Sequence, residues 1–152
     1  MKLSAFTNSK LIDLSLPSGS KEELLAAMAK LIARSPSVRN GEQFLTDVLA
    51  REALVTTGVG YGVAFPHAKS TAVKNVVFAL GRTVQDADFD ALDGEPVRLI
   101  LMIGAPKETE PSGVYLNLMA RLSFLMKDES NRNTLLAADS AKAVMKVFDS
   151  VR

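Results

Sequence analysis

The sequence predicts an α/β fold, a single domain in which a mixed β-sheet carries helices packed on both faces. Apolar residues recur at helical spacing near the start and the end of the chain. The middle of the chain is rich in β-branched residues and glycine, without a helical period. Helices that flank a central run of strands are typical of this class. The 152 residues contain no repeat or linker, so we expect one domain over 1–152.

The first helix is the best-marked element of the chain. A short strand over residues 11–16 precedes it, and Pro17-Ser18-Gly19 turns the chain between the two. Ser20 and Glu23 form a capping-box pattern, which predicts that a helix begins there. Pro36 marks its end. The predicted apolar face consists of Leu24, Leu25, Met28, Leu31 and Ile32.

A second helix and the strands occupy the middle of the chain. Asn40 and Gln43 predict the start of this helix, and its apolar face consists of Phe44, Leu45, Val48 and Leu49. Residues 54–65 have strand-like composition, and residues 73–84 are β-branched and apolar, which predicts a strand. Residues 97–103 are almost continuously apolar, so we expect a strand in the centre of the sheet.

The last part of the chain predicts three more helices. Ser112 is expected to cap the first, whose inward face carries Tyr115, Leu118, Met119, Leu122 and Met126. A short helix follows over residues 131–137. Ser140 is expected to cap the last, with an inward face of Val144, Val147, Phe148 and Val151.

Composition excludes several classes of function. The net charge of +1, from 18 basic and 17 acidic residues, argues against binding to nucleic acid or to an anionic membrane. The absence of cysteine excludes disulfides, thiol nucleophiles and cysteine-ligated metals. No apolar run approaches the roughly 18 residues of a membrane span, and the N-terminus lacks the apolar core of a signal peptide. We therefore expect a cytoplasmic protein without membrane insertion.

Residues 58–67, Gly-Val-Gly-Tyr-Gly-Val-Ala-Phe-Pro-His, are the segment that points to chemistry. Gly58, Gly60 and Gly62 allow the backbone to approach a ligand closely, and exposed amides there can bind an anion. Pro66 stiffens the approach to His67, the only histidine of the chain. Such a constrained loop suits a side chain that must be held in one orientation.

Histidine is well suited to accept a phosphoryl group. A neutral imidazole is a good nucleophile at physiological pH, and phosphoryl transfer needs little beyond positioning and charge stabilisation. Arg51, at a predicted helix end, can bind phosphate oxygens through two N–H groups. Thr56 and Thr57 offer hydroxyl donors.

Each of these residues also has a simpler interpretation. A lone histidine is usually a surface or core residue, and alternating glycines fit a hairpin with bulges. Arg51 fits a solvated residue at a helix C-terminus, and Glu52 reads as a plain surface charge. Thr56 and Thr57 fit an ordinary strand.

The residue types and spacings of the chain do not match other common kinds of functional site. The glycine run is not the Gly-x-Gly-x-x-Gly dinucleotide fingerprint, and the chain has no Walker A lysine motif or Gly-x-Ser-x-Gly elbow. One histidine without cysteine does not make a zinc site. The cluster of Asp86, Asp88, Asp90 and Asp93 lacks the spacing of a calcium loop.

Three segments of the chain carry a family resemblance. The first is Arg51-Glu52 with the run Thr-Gly-Val-Gly-Tyr-Gly-Val-Ala-Phe-Pro-His over 57–67. The second is Phe-Asp-Ala-Leu-Asp-Gly-Glu-Pro-Val over 89–97, and the third is Leu-Asn-Leu-Met-Ala-Arg-Leu over 116–122. Together they resemble the IIA domains of the fructose, mannitol and nitrogen-regulatory class of the bacterial phosphotransferase system. The resemblance covers nearly the whole chain.

The resemblance implies a fold and a set of site residues. The family fold is a mixed sheet with helices on both faces. The family's phosphorylated residue matches His67, and its active-site arginine matches Arg51. We expect Thr57, Gly58, Gly60 and Gly62 to bind the phosphate. The resemblance implies uptake of the phosphoryl group from an HPr-type phosphocarrier, and no metal or organic cofactor.

One position departs from the family pattern. Many members carry a second histidine at the start of the later helix, where this chain has Tyr115. A tyrosine hydroxyl donates hydrogen bonds but does not become cationic near neutral pH. We predict that Tyr115 lines the His67 site; the alternative is a core residue on an amphipathic helix.

Three functions follow from the resemblance. We expect a phosphorylation-dependent regulator of the nitrogen-regulatory type, which binds a target protein. The alternative is a sugar-specific IIA component that passes the phosphoryl group to a IIB domain during uptake. A second alternative is a degenerate binding module that is not phosphorylated, because the second histidine is missing.

Overall fold

One mixed sheet organises the chain, in a computed structural model that describes residues 2–108 and 113–150. Its strands are β1 (Ile12–Leu16), β2 (Gly58–Gly60), β3 (Val63–Ala64), β4 (His67–Ser70), β5 (Val77–Ala87) and β6 (Val97–Pro106). The strand order is β1-β5-β6-β3-β2, and β4 also pairs with β6. β5 is antiparallel to β6, whereas β3 and β4 are parallel to it. The predicted mixed sheet is confirmed.

Helices cover both faces of this sheet. Within the described ranges they are α1 (Lys21–Ile32), α2 (Gly41–Glu52), α3 (Val114–Lys127), α4 (Glu129–Ala137) and α5 (Ala141–Asp149). One cluster of buried apolar residues joins α1 and α2 to the sheet, and a second joins α3, α4 and α5 to the opposite face. The predicted packing on both faces is therefore confirmed.

Three helices begin at the polar residues that the sequence indicates. Ser20 accepts a hydrogen bond from the Glu23 amide, and the Glu23 side chain accepts one from the Ser20 amide, which completes the capping box. Asn40 caps α2, and Ser140 caps α5. Each cap satisfies an amide that has no partner within its own helix.

Three details differ from the sequence-based predictions. The strand predicted over 73–84 is β5, which begins at Val77, because Val73 instead forms an isolated bridge with Val38. α4 begins at Glu129 rather than residue 131, because the Asp128 side chain accepts the amide hydrogen bond that caps it. Leu49, expected on the apolar face of α2, is 36% exposed. Ser112 and Val151 lie outside the described residues.

β6 lies in the centre of the sheet, as its apolar sequence predicts. β5 pairs with one edge of β6, and β3 and β4 follow each other along the other edge. All side chains from Leu99 to Ala105 are buried. Across the described ranges, the helices are too short or too polar to traverse a lipid bilayer.

Candidate functional site

His67 begins β4, directly after a break in the sheet ladder. Along β6, Ala64 pairs with Ile100 and His67 pairs with Ile103. Pro66 lies between β3 and β4 and has no amide hydrogen to donate to β6, so the ladder is interrupted there. The Pro66 carbonyl still accepts a hydrogen bond from the Ile103 amide at 2.9 Å. His67 is therefore the first residue after the break, and its pairing with Ile103 fixes its position along β6.

The His67 imidazole forms a hydrogen bond with the backbone just before its own strand. Nδ1 lies 2.8 Å from the carbonyl oxygen of Phe65. A carbonyl oxygen only accepts, so Nδ1 carries the proton of the neutral ring. The lone pair of the neutral imidazole is then on Nε2. The half-buried ring is thus prepared to act as a nucleophile through Nε2.

The surroundings of His67 favour the neutral ring. Burial lowers the pKa of His67, and the positive charge of Arg51 lowers it further. The hydrogen bond to Phe65 and the carboxylate of Glu52 act in the opposite direction, but the net pKa is below the ordinary value of 6.5. The imidazole is therefore mostly uncharged at neutral pH.

Arg51 lies in the last turn of α2. Its Nη1 donates to the carbonyl of Val55 at 3.0 Å, which ties the guanidinium to the loop that follows the helix. Its charge lowers the pKa of His67 and also acts on Tyr115. The structure therefore brings Arg51 near both of the other residues predicted for the site.

Tyr115 lies in the first turn of α3 and packs beside His67. The two ring centroids are 6.4 Å apart, and their planes are inclined by 54°. Tyr115 is only 7% exposed, and burial raises the pKa of its hydroxyl to about 12. The hydroxyl therefore stays protonated and able to donate at neutral pH.

Lys69 is a cation at this site that the sequence analysis missed. Its Nζ lies 5.7 Å from the centroid of the Tyr115 ring. Side chains alternate between the two faces of a strand, so Lys69 shares the face of His67, two residues earlier on β4. Ala68 and Ser70 are buried on the other face. The spacing from His67 is the signal that was available in the sequence.

The glycines form the turn between β2 and β3. Gly60 and Gly62 adopt φ values of 109° and 76°, on either side of Tyr61, and β2 pairs antiparallel with β3. Val63 pairs with Leu99 and His67 with Ile103, so about 13 Å of strand separates the turn from the histidine. Gly60 and Gly62 thus fit the hairpin interpretation, and the fold does not bring them to the imidazole.

Thr57 and Gly58 are held by hydrogen bonds within the protein. The amide and the hydroxyl of Thr57 donate to the two carboxylate oxygens of Glu52, at 2.7 and 2.6 Å. The Gly58 amide donates to the Thr56 hydroxyl oxygen at 3.1 Å. The donors of Thr57 and Gly58 that we expected to face a phosphate therefore already have partners.

Glu52 is the other residue that the sequence analysis misjudged. It is 8% exposed rather than a surface charge, and it forms an ion pair with Lys21 at 2.8 Å. Burial alone would raise the pKa of its carboxyl. The hydrogen bonds from Lys21 and Thr57 outweigh this effect, so the pKa is below the ordinary value of 4.5. Glu52 is therefore a buried, ionised carboxylate whose charge acts on His67.

Comparison with known proteins identifies the family. Residues 5–151 match the family described as the phosphoenolpyruvate-dependent sugar phosphotransferase system, EIIA 2. The chain belongs to this family. This confirms the resemblance seen in the glycine, proline and histidine segment of the EIIA chain.

The relatives of this EIIA chain include fructose-specific EIIA components and nitrogen regulatory proteins. It is 34% identical over 149 residues to a fructose-specific EIIA component from Haloferax volcanii, covering 98% of the chain and 96% of that relative. It is 29% identical over 137 residues to a nitrogen regulatory protein from Pseudomonas aeruginosa, covering 90% and 88%. A fructose-specific EIIABC component from Bacillus subtilis is 31% identical over 98% of the chain, but the chain spans only 23% of that protein.

Solved structures share the fold of the EIIA chain. The nitrogen regulatory protein IIA-Ntr from Neisseria meningitidis matches with a TM-score of 0.88 and 31% identity, over 96% of this chain and 98% of that one. A complex of the mannitol IIA and phosphorylated IIB enzymes from Escherichia coli matches with a TM-score of 0.80 and 19% identity, over 94% and 96%. The second likeness concerns the fold alone.

Proposed function

We propose that His67 accepts a phosphoryl group on Nε2 from an HPr-type phosphocarrier protein. The observation that carries this proposal is the 2.8 Å hydrogen bond from Nδ1 to the Phe65 carbonyl, because it directs the lone pair of the neutral ring to Nε2. Membership of the EIIA family supports the same assignment.

The transfer exchanges one P–N bond for another. The Nε2 lone pair of His67 attacks the phosphorus of the donor's phosphohistidine, whose ring carries a proton on its other nitrogen. The donor P–N bond breaks with its electron pair returning to that ring, which leaves as neutral imidazole. No proton has to enter or leave. Positive charge develops on the His67 ring, and the Phe65 carbonyl stabilises it through Nδ1–H.

The charges around His67 favour a bound phosphoryl group. Arg51 and Lys69 both contribute positive charge near Tyr115, whereas Lys21 compensates the negative charge of Glu52. A phosphoryl dianion is stabilised where cations outnumber uncompensated anions. The Tyr115 hydroxyl adds a neutral donor in place of the second histidine of many relatives.

We assign the phosphorylated protein a regulatory role of the nitrogen-regulatory type. The likeness to IIA-Ntr from Neisseria meningitidis, at 31% identity and a TM-score of 0.88, supports this choice. In this role the phosphoryl group changes the charge of the surface around His67, and a target protein distinguishes the two states. The role implies a cytoplasmic protein.

A second candidate is a sugar-specific IIA component that passes the phosphoryl group to a IIB domain. The 34% identity to the fructose-specific EIIA component from Haloferax volcanii favours it. The mannitol IIA and phosphorylated IIB enzymes from Escherichia coli form a complex whose structure is solved. The degenerate binding module, which is never phosphorylated, is the remaining alternative.

The first experiment measures the intact mass of the protein after incubation with phosphoenolpyruvate, enzyme I and HPr. We expect an acid-labile gain of one phosphoryl group in the wild type and none in His67→Ala. A gain that persists in His67→Ala would place the phosphate on another residue. No gain with HPr or with its nitrogen-branch counterpart would support the degenerate binding module.

The second experiment separates the two phosphorylated functions. The phosphorylated protein is mixed with purified IIB domains of the fructose and mannitol type, and the loss of phosphate from His67 is followed by mass. A regulator retains its phosphate in these mixtures. Rapid transfer to one IIB domain would favour the sugar-specific function.

A further inference from the structure

A continuous chain of hydrogen bonds joins the buried carboxylate of Glu52 to the imidazole of His67. The amide and hydroxyl of Thr57 donate to Glu52. The Thr57 carbonyl accepts from the Phe65 amide at 2.9 Å, and the Phe65 carbonyl accepts from Nδ1 of His67 at 2.8 Å. Glu52 is thus connected to the His67 ring through the backbones of Thr57 and Phe65.

The last link of this chain depends on the position of the Phe65 backbone. Phe65 lies between β3 and β4, where Pro66 interrupts the ladder to β6. The bond from the Phe65 amide to Thr57 therefore supports this peptide on the side away from β6. If Thr57 shifted, the Phe65 carbonyl would lose its alignment with Nδ1.

Thr57 itself is fixed by Glu52 from two directions. The two donors of one residue bind the two oxygens of one carboxylate, which fixes the backbone and the side chain together. Lys21, on a different helix, holds the same carboxylate at 2.8 Å. Burying an ionised carboxylate that is only 8% exposed costs free energy of desolvation. The presence of such a group at residue 52, next to Arg51, therefore calls for a function that offsets this cost.

We infer that Glu52 is a positioning residue that sets the tautomer of His67. It holds Thr57, Thr57 holds Phe65, and the Phe65 carbonyl keeps the proton on Nδ1 so that Nε2 is free. The consequence for phosphoryl transfer rests on the proposed function. The consequence for the tautomer does not, because it is a property of the unphosphorylated protein.

A purely structural role of Glu52 makes a different prediction. In that case the ion pair with Lys21 only ties α1 to α2, and its loss lowers stability without changing the histidine. In our inference, the distribution of the proton between Nδ1 and Nε2 also changes. The tautomer is therefore the measurement that separates the two roles.

The test records the ¹⁵N chemical shifts of the His67 ring by NMR at a pH where the ring is neutral. We compare wild type, Glu52→Gln and Thr57→Val with the conservative variant Thr57→Ser. Glu42→Gln, an exposed glutamate in the first turn of α2, serves as the matched control. Thermal unfolding of each variant monitors stability separately.

We expect wild type, Thr57→Ser and Glu42→Gln to keep the proton mainly on Nδ1. Glu52→Gln and Thr57→Val should raise the ratio of the Nε2–H to the Nδ1–H form by about 2- to 10-fold, the range for one weakened hydrogen bond. The rate of phosphoryl uptake from phosphorylated HPr should fall by a similar factor in these two variants.

Unchanged tautomer ratios in folded Glu52→Gln and Thr57→Val would overturn the inference and leave Glu52 a structural role. If Glu52→Gln fails to fold, the comparison of Thr57→Val with Thr57→Ser decides. If the tautomer shifts as expected but wild type takes up no phosphate, the inference stands and the proposed function fails. If wild type is phosphorylated but the tautomer never shifts, the proposed function stands alone.

Discussion

The rings of His67 and Tyr115 lie 6.4 Å apart, with their planes inclined by 54°. Tyr115 therefore packs directly beside the ring that we propose as the phosphoryl acceptor. Because burial raises the pKa of its hydroxyl to about 12, the Tyr115 hydroxyl stays protonated at neutral pH and can donate a hydrogen bond.

Tyr115→Phe tests the hydroxyl directly. The variant keeps the ring that packs beside His67 but removes the donor, so we expect about 3- to 10-fold slower phosphorylation by HPr, the effect of one lost hydrogen bond. The initial rate is measured by intact mass, with Tyr61→Phe on the exposed β2–β3 turn as the control. Equal rates in the two variants would show that the hydroxyl does not contact the phosphoryl group.

Arg51 is predicted to stabilise the phosphoryl group through its charge and its paired N–H groups. Arg51→Gln should lower kcat/KM for phosphoryl uptake about 10- to 100-fold, and Arg51→Lys should restore part of the loss. The same change should raise the pKa of His67, because a neighbouring cation lowers it. Arg39→Gln, an exposed arginine before α2, should change neither quantity.

The pH dependence of phosphoryl uptake should follow the lowered pKa of His67. Burial and the Arg51 charge hold that pKa below 6.5, so the nucleophilic neutral ring persists to a lower pH than that of an exposed histidine. The rate of uptake should fall only as the pH drops through the lowered pKa. An NMR titration midpoint of the ring at or above 6.5 would contradict this prediction.

Glu52 should make stability depend on pH on the acid side. Its pKa in the folded protein is below the ordinary value of 4.5, so the ionised carboxylate stabilises the fold above about pH 4.5. This contribution is lost as the pH falls through the folded-state pKa. Urea unfolding of wild type and Glu52→Gln should therefore differ most above pH 4.5 and converge in acid. A difference that did not change with pH would argue that the variant acts through packing alone.

A side chain at Gly81 on β5 should destabilise the fold. A Cβ atom there would lie 2.3 Å from Cδ1 of Leu16 and 2.4 Å from Sδ of Met28, so both of these buried side chains would have to shift. We expect Gly81→Ala to lower the free energy of unfolding by about 1–3 kcal/mol, as overpacked cores do. An unchanged urea midpoint would show that these two side chains can rearrange freely.

Elements with local signals could be predicted from the sequence. Ser20, Asn40 and Ser140 cap helices through hydrogen bonds that span three residues, so the signal and its effect are adjacent in the chain. The start of β5 was misplaced because its limits are set by pairing with β1 and β6, which are distant in sequence. Local composition does not carry that information.

The same distinction applies to the site. His67 and Arg51 could be proposed from a motif within one stretch of chain. The role of Glu52 could not, because its burial depends on Lys21, which lies in a different helix 31 positions earlier. Thr57 was expected to face a phosphate, but the fold directs both of its donors to Glu52.

The short strand that carries His67 also limits growth of the sheet. Among the described strands, β4 pairs with β6 alone, so its other edge resembles a template on which a strand of another molecule can add. β4 has only four residues, and Lys69 places a charge within it. These features discourage intermolecular strand addition, so the edge can remain unpaired without becoming a seed for aggregation.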